Sequence, residues 1–126
     1  MFENISLFQT AGAMARHAAA SQAVTARNIA NADTPGFRAQ TIASFSDTYR
    51  AESGEAMRAT RPGHMRSSAT MSTIRPEFSD SDPSPNGNTV SLEQEMVAAV
   101  NNQRENDRAI AIYKHGLTVL RTVIGR

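Results

Sequence analysis

Residues 28–37 read Asn28-Ile29-Ala30-Asn31-Ala32-Asp33-Thr34-Pro35-Gly36-Phe37, and they bring an alanine-rich helix to a stop. Pro35 disfavours the helical conformation at the residue before it, and Gly36 permits the chain reversal that follows, so the helix must end by Thr34. Ahead of the stop, Asn28 and Asn31 lie three apart on one helical face. Their amides there reach either the last helical carbonyls or a neighbouring helix. Phe37 follows the turn and is expected to pack back on the helix.

Working towards the N-terminus, a helix is expected from about Ile5 to Asp33. Leu7, Ala11, Met14, Ala18, Ser21, Thr25, Asn28 and Ala32 alternate spacings of four and three, which is the seam of a coiled coil. Ala13, Ala15, Ala18, Ala19, Ala20 and Ala23 widen the apolar surface without adding bulk, so other helices are able to approach closely on more than one side. Phe2, Ile5, Leu7 and Phe8 make its start the most hydrophobic part.

A second helix is expected at the C-terminus, after the turn Pro85-Asn86-Gly87-Asn88. Ser91 suits the N-cap, and Gln94 three residues on completes a capping box. Glu93 and Glu95 place negative charge in the first turn, where the helix dipole favours it. From there Leu92, Met96, Ala99, Gln103, Asn106, Ile110, Tyr113, Leu117, Leu120 and Ile124 again alternate by four and three. At ~1.5 Å per residue this helix is about 50 Å long. Gln103 and Asn106 interrupt the seam with amides, as a register device or as partners for the asparagines of the first helix. The fold class is therefore mainly α: two long terminal helices pairing as a coiled-coil-like antiparallel hairpin around an irregular or weakly β insertion.

That insertion, 39–85, carries Gly54, Pro62, Gly63, Pro76, Pro83 and Pro85 at intervals that interrupt every candidate helix. Short extended runs around Met57–Thr60 and Met71–Ile74 are the only weak alternation, and the remainder reads as loop. Three units follow: 1–38 as helix and turn, 39–85 as insertion, 86–126 as the second helix with its lead-in.

With Ala26 and Arg27 placed before it, the terminator resembles the signature of the axial proteins of the bacterial flagellum, Ala-Asn-Asn-Leu-Ala-Asn-x-x-Thr-x-Gly-Tyr. It differs by Arg27 for the usual asparagine and by conservative changes at Ile29 and Phe37. The stretch Asn86-Gly87-Asn88-Thr89-Val90-Ser91-Leu92-Glu93-Gln94-Glu95-Met96 resembles the segment Asp-Gly-Asn-x-Val-Asp-Leu-Asp-x-Glu-Met of proximal-rod members of that family. The resemblance covers roughly the first and last forty residues. It implies a structural subunit of the proximal rod that polymerises through its terminal helices into part of the drive shaft. It further implies export, unfolded, through the flagellar type III apparatus without a cleaved signal peptide, and a place in the basal-body rod within the periplasmic space. The implied partners are copies of itself, other rod proteins and the membrane-ring adaptor. On this reading Asn28, Ile29, Ala30, Asn31, Thr34, Pro35, Gly36 and Phe37 form the assembly motif. The packing seam takes Leu7, Met14, Leu92, Met96, Ile110, Tyr113, Leu117, Leu120 and Ile124.

Composition agrees with a chain that leans on partners. Among 126 residues 40% are hydrophobic, many of them alanine, which is a thin inventory for a self-sufficient core. A net charge of +1 gives no global field for nucleic acid, and the arginines of the middle are offset by Glu52, Glu55, Glu77, Asp80 and Asp82. There is no cysteine, hence no disulfide or thiolate metal site. No window has the length of a membrane helix, and no basic region followed by an apolar run marks a secretory signal. Asp82, Ser84, Asn86, Gly87 and Glu93 fall at positions 1, 3, 5, 6 and 12 of a calcium loop, yet Pro83 and Pro85 stiffen it and Pro76 removes the entering helix. His17, His64 and His115 share no ligand spacing, no serine lies in a nucleophile elbow and there is no phosphate loop. No enzyme, cofactor, metal or small-molecule substrate is therefore expected. The alternatives are another rod protein of the same family, or a soluble helical-hairpin adaptor or chaperone; a helix-turn-helix DNA binder ranks third.

Overall fold

The computed structural model describes residues 2–55 and 74–125. Helix α1, Phe2–Ala30, ends in a turn over residues 31–36; strand β1, Gln40–Thr41, and helix α2, Phe45–Glu55, follow. Strand β2, Glu77–Phe78, pairs antiparallel with β1 in the register Gln40 to Phe78 and Thr41 to Glu77. Helix α3, Leu92–Ile124, then runs back along α1. Three cross-contacts fix the antiparallel sense. The Phe8 and Tyr113 rings meet edge to face at 5.1 Å. Asn102 Nδ2 donates to Thr25 Oγ1 at 3.2 Å, and Asn28 Nδ2 donates to Glu95 Oε1 at 2.9 Å.

What packs between the helices is small. Ala11, Ala13 and Ala18 of α1 and Ala109 and Gly116 of α3 are buried, and among the described residues no large aliphatic side chain is buried as fully. A Cβ added at Gly116 would stand 3.1 Å from two carbons of the Phe8 ring and 3.3 Å from Leu7 Cδ2, so the backbone of α3 lies directly on those side chains. Alanine and glycine admit this approach because nothing projects to hold the axes apart.

The inward face of α1 keeps the four-three spacing of its sequence: Ala11, Ala18, Thr25 and Asn28 are buried, with Met14 and Ser21 half-buried. The inward face of α3 is turned from the stripe of large residues. Glu95, Ala99, Asn102, Asn106, Ala109, Gly116, Leu117 and Leu120 are buried or half-buried, while Leu92, Met96, Ile110, Tyr113 and Ile124 are exposed. Met96, Gln103 and Ile110 each stand one residue past an inward position, a rotation of about 100° about the helix axis. Gln103 consequently bonds Asp107 on its own helix at 3.1 Å, and Asn102 is the amide that reaches α1.

The insertion holds more regular structure than its sequence indicated. Ser44 caps α2: its Oγ accepts from Asp47 N at 3.3 Å and donates to Asp47 Oδ2 at 2.6 Å, while Thr48 N donates to Ser44 O at 3.1 Å. Phe45 and Tyr49, one turn apart, stack at 5.7 Å, and Phe45 meets His17 edge to face. His17 Nε2 donates to Ala43 O at 2.8 Å, which ties the lead-in of α2 to α1. The extended runs expected at Met57–Thr60 and Met71–Thr73 lie outside the described residues, and Ile74 is in no strand.

Candidate functional site

The terminator after α1 and the lead-in to α3 are the two halves of one joint. Ala30 is the last residue of α1, and Asn31 N and Ala32 N close the end of the helix on Asn28 O and Ile29 O at 3.0 and 3.1 Å. The turn that follows leaves carbonyls needing donors, the ordinary condition of a helix C-terminus. Asn88 supplies them from across the chain. Its Nδ2 lies 2.9, 2.7 and 2.9 Å from the carbonyl oxygens of Asn31, Ala32 and Thr34, so two protons serve three acceptors. Its Oδ1 accepts from Val90 N at 2.7 Å. Asn88 is 2% exposed, and every polar atom of its side chain is engaged.

Asn28, 1% exposed, is the second pin. It accepts from Gln40 N at 3.1 Å and donates to Gln40 O at 2.7 Å and to Glu95 Oε1 at 2.9 Å. One amide thus holds the strand after the turn and the first turn of α3 to the last turn of α1. Between the pins the two segments zip together. Gly36 N donates to Asn86 O, Thr89 N to Phe37 O and Ala39 N to Thr89 Oγ1, at 3.0, 3.0 and 2.8 Å. Gly36 at φ +72° and Gly87 at φ +80° both take the left-handed conformation, and a Cβ on Gly87 would stand 3.4 Å from Gly36 Cα. Glycine at both positions therefore serves the left-handed backbone conformation.

The remaining expected motif residues fall around this joint. Asn31 Nδ2 donates back to Arg27 O at 2.8 Å, and Thr34 Oγ1 donates to Asn31 Oδ1 at 3.3 Å, so Asn31 serves its own helix end. Ile29, Ala30, Thr34 and Pro35 are exposed, and Phe37 is half-buried. The capping box at Ser91 and Gln94 needs correction. Ser91 has the extended N-cap backbone, φ −101° and ψ 108°, but its side chain makes no cap hydrogen bond. Val90 N is held by Asn88, and the carboxylate that matters in the first turn is Glu95, which faces inward to Asn28. Burial raises the Glu95 pKa above the usual carboxylate value, and the Asn28 hydrogen bond partly offsets this by favouring the charged form. Of the residues spaced like a calcium loop, Asn86 and Gly87 build a tight turn: Asn86 Oδ1 accepts from Asn88 N and Gly87 N donates to Ser84 O.

The sequence motifs named Asn28 and Asn88 without connecting them. The signal was present in composition: two amide-bearing residues, each beside a chain reversal, in a chain with few large apolar residues to fill a core. The fold brings them to one joint: Asn28 bonds Gln40 and Glu95, and Asn88 bonds the turn just after Asn28.

A cleft of about 390 Å³ opens where α1, α3 and the lead-in to α2 meet, lined among others by Met14, His17, Phe45, Asn102, Glu105 and Arg108. His17 there bonds Ala43, Asn102 bonds Thr25, and Glu105 pairs with Arg108 at 3.5 Å. His115 is exposed on α3. Among the described residues no three His, Cys, Asp or Glu side chains come together as a metal site, and no helix is long and apolar enough to cross a membrane.

Two comparisons bear on the joint. The model of the family described as flagella basal body rod protein matches residues 9–38, from the alanine face of α1 to the end of the turn. Over 115 residues, 87% of this chain and 86% of the relative, the sequence is 31% identical to the flagellar basal body rod protein FlgB of Agrobacterium fabrum.

Proposed function

This chain belongs to the flagellar basal body rod protein family, and from that premise we propose that it is a structural, non-enzymatic subunit of the proximal rod that polymerises through its two terminal helices. The single observation that carries the reading is the outer face of α3. Leu92, Met96, Val97 and Val100 form an exposed apolar run on the first turns, and Val123 and Ile124 lie more than three-quarters exposed at the far end. A lone soluble hairpin has no use for so many large apolar side chains in water, whereas a tube wall covers them.

In this proposal the division of labour follows the three units 1–38, 39–85 and 86–126. The alanine face of α1 and the inward face of α3 make the subunit, and the larger residues left outside make the polymer. Leu92, Met96, Ile110 and Ile124 then serve as contacts to neighbouring subunits, with Leu7, Met14, Tyr113, Leu117 and Leu120 at the edge of the intrachain seam. The motif from Asn28 to Phe37 serves by holding the subunit's shape. The neighbours are copies of this chain, other rod proteins and the membrane-ring adaptor, in a rod spanning the periplasmic space. A core of alanine and glycine releases little on collapse, which suits a chain that reaches its site unfolded through the type III export apparatus without a cleaved signal.

Sedimentation and circular dichroism against protein concentration test this directly. Assembly together with a rise in helicity is expected, and Met96→Ser combined with Val97→Ser abolishes the assembly while leaving the hairpin. A fully helical monomer at every concentration would remove the polymer reading and leave a hairpin adaptor.

A further inference from the structure

The joint does more than end one helix and begin another. The turn carbonyls after α1 receive their donors from Asn88, and the backbone after that turn is fixed by Asn28, which also holds α3 through Glu95. Asn31 O and Thr34 O also accept from Thr34 N and Phe37 N within the turn, but Ala32 O takes its donor from Asn88, and Gln40 N finds its acceptor in Asn28. A carbonyl or amide that loses its partner while still shielded from water is penalised, so a state in which one half is formed and the other is not carries several such penalties together. We infer that Asn28 and Asn88 are the two pins of a lock that makes the end of α1 and the start of α3 order and disorder as one unit.

The lock lies within one subunit and stands whether or not subunits polymerise. It gives the chain two conditions, both terminal motifs set or both open, and excludes a subunit that presents a finished N-terminal helix beside an unplaced C-terminal one. Among the described residues the far end of the hairpin has no equivalent. Beyond Leu120 every described residue of α3 is exposed, so that end opens without disturbing the lock.

Amide hydrogen exchange on the intact chain tests the coupling, because each pin has reporters it does not touch. Asn28→Ala removes the acceptor of Gln40 N–H but touches neither the Gly36 nor the Thr89 N–H. Asn88→Ala removes the acceptor of Val90 N–H but does not touch Gln40. The expected result is exchange about tenfold faster at the untouched reporters in each variant, and a double variant no worse than the more damaging single one. Acceleration confined to Gln40 in the first variant and to Val90 in the second would overturn the lock. Should either alanine variant lose all protection at once, Thr89→Val decides, since it removes only the side-chain acceptor of Ala39 N–H. Faster exchange at Gly36 and Gln40 together then upholds the inference, and faster exchange at Ala39 alone rejects it.

Discussion

The two ends of the hairpin are built on opposite principles. At the joint, polar groups are buried and every one is engaged; from Thr25 outward, the helices are held by alanine, glycine and the edges of two rings. Hydrogen bonds have direction, so the joint fixes register and rotation. Close contact between smooth surfaces has little, so the seam contributes adhesion and follows the register set elsewhere. The difference teaches where to expect sharp and where to expect graded responses to substitution.

Breaking the joint should have the largest effect. Asn88→Ala leaves Ala32 O and Val90 N–H without partners and strips a second donor from Asn31 O and Thr34 O, and a loss of about 2 kcal/mol is expected in chemical denaturation of the monomer. A loss below about 1 kcal/mol would mean that water replaces the amide and the joint is not the stronger end. Gly116→Leu attacks the seam instead, driving a side chain into Phe8 and Leu7, and should cost about 2 kcal/mol. Its signature is loss of the Phe8 to Tyr113 ring contact, seen by NMR, with the Gly36 and Thr89 amides still protected. Loss of protection there too would show that seam and joint are one structure.

The outer face sharpens the comparison from a third side. Met96 is 59% exposed, and Met96→Ser should change monomer stability by less than about 0.5 kcal/mol while weakening assembly in sedimentation. A large change in the monomer would place Met96 in the intrachain seam after all. The smallest effect expected is a pH dependence at the joint. Because burial raises the folded-state pKa of Glu95, the folded chain holds that proton more tightly than the unfolded one, and this group's contribution to stability increases as pH falls through the raised value towards the ordinary one. Glu95→Gln keeps an acceptor for Asn28 and removes the buried charge, so it should be the more stable form at neutral pH. The gap should close on acidification, as two denaturation series would record; a gap that stays constant with pH would put the charge in water.

Particular residues show why some of this was legible beforehand. Pro35 and Gly36 act through local backbone geometry, so the stop after α1 could be read from neighbours alone, and the alanine spacing of α1 carries its own inward face. The capping signal was equally local but stood at a different serine. Ser44 with Asp47 caps α2, a helix hidden by the breakers around it, while Ser91 with Gln94 has the pattern and no side-chain cap. A short pattern names a possible hydrogen bond, and competing partners decide whether it forms. On α3 the largest apolar residues suggested the seam, but α1 offers a face of alanine, and a seam of methionine and isoleucine would hold the helices further apart than the bonds from Asn28 and Thr25 allow.

Two long helices, the turn that ends the first, the glycine turn ahead of the second and the poverty of the core could be read from the sequence, because each follows from the chemistry of adjacent residues. Only the tertiary structure decided that Asn88 completes the end of α1, that Asn28 and Glu95 meet, and that α3 turns its large residues outward. Those outcomes depend on which groups compete for the same buried carbonyls and the same narrow space, and that competition exists only once distant segments have come together.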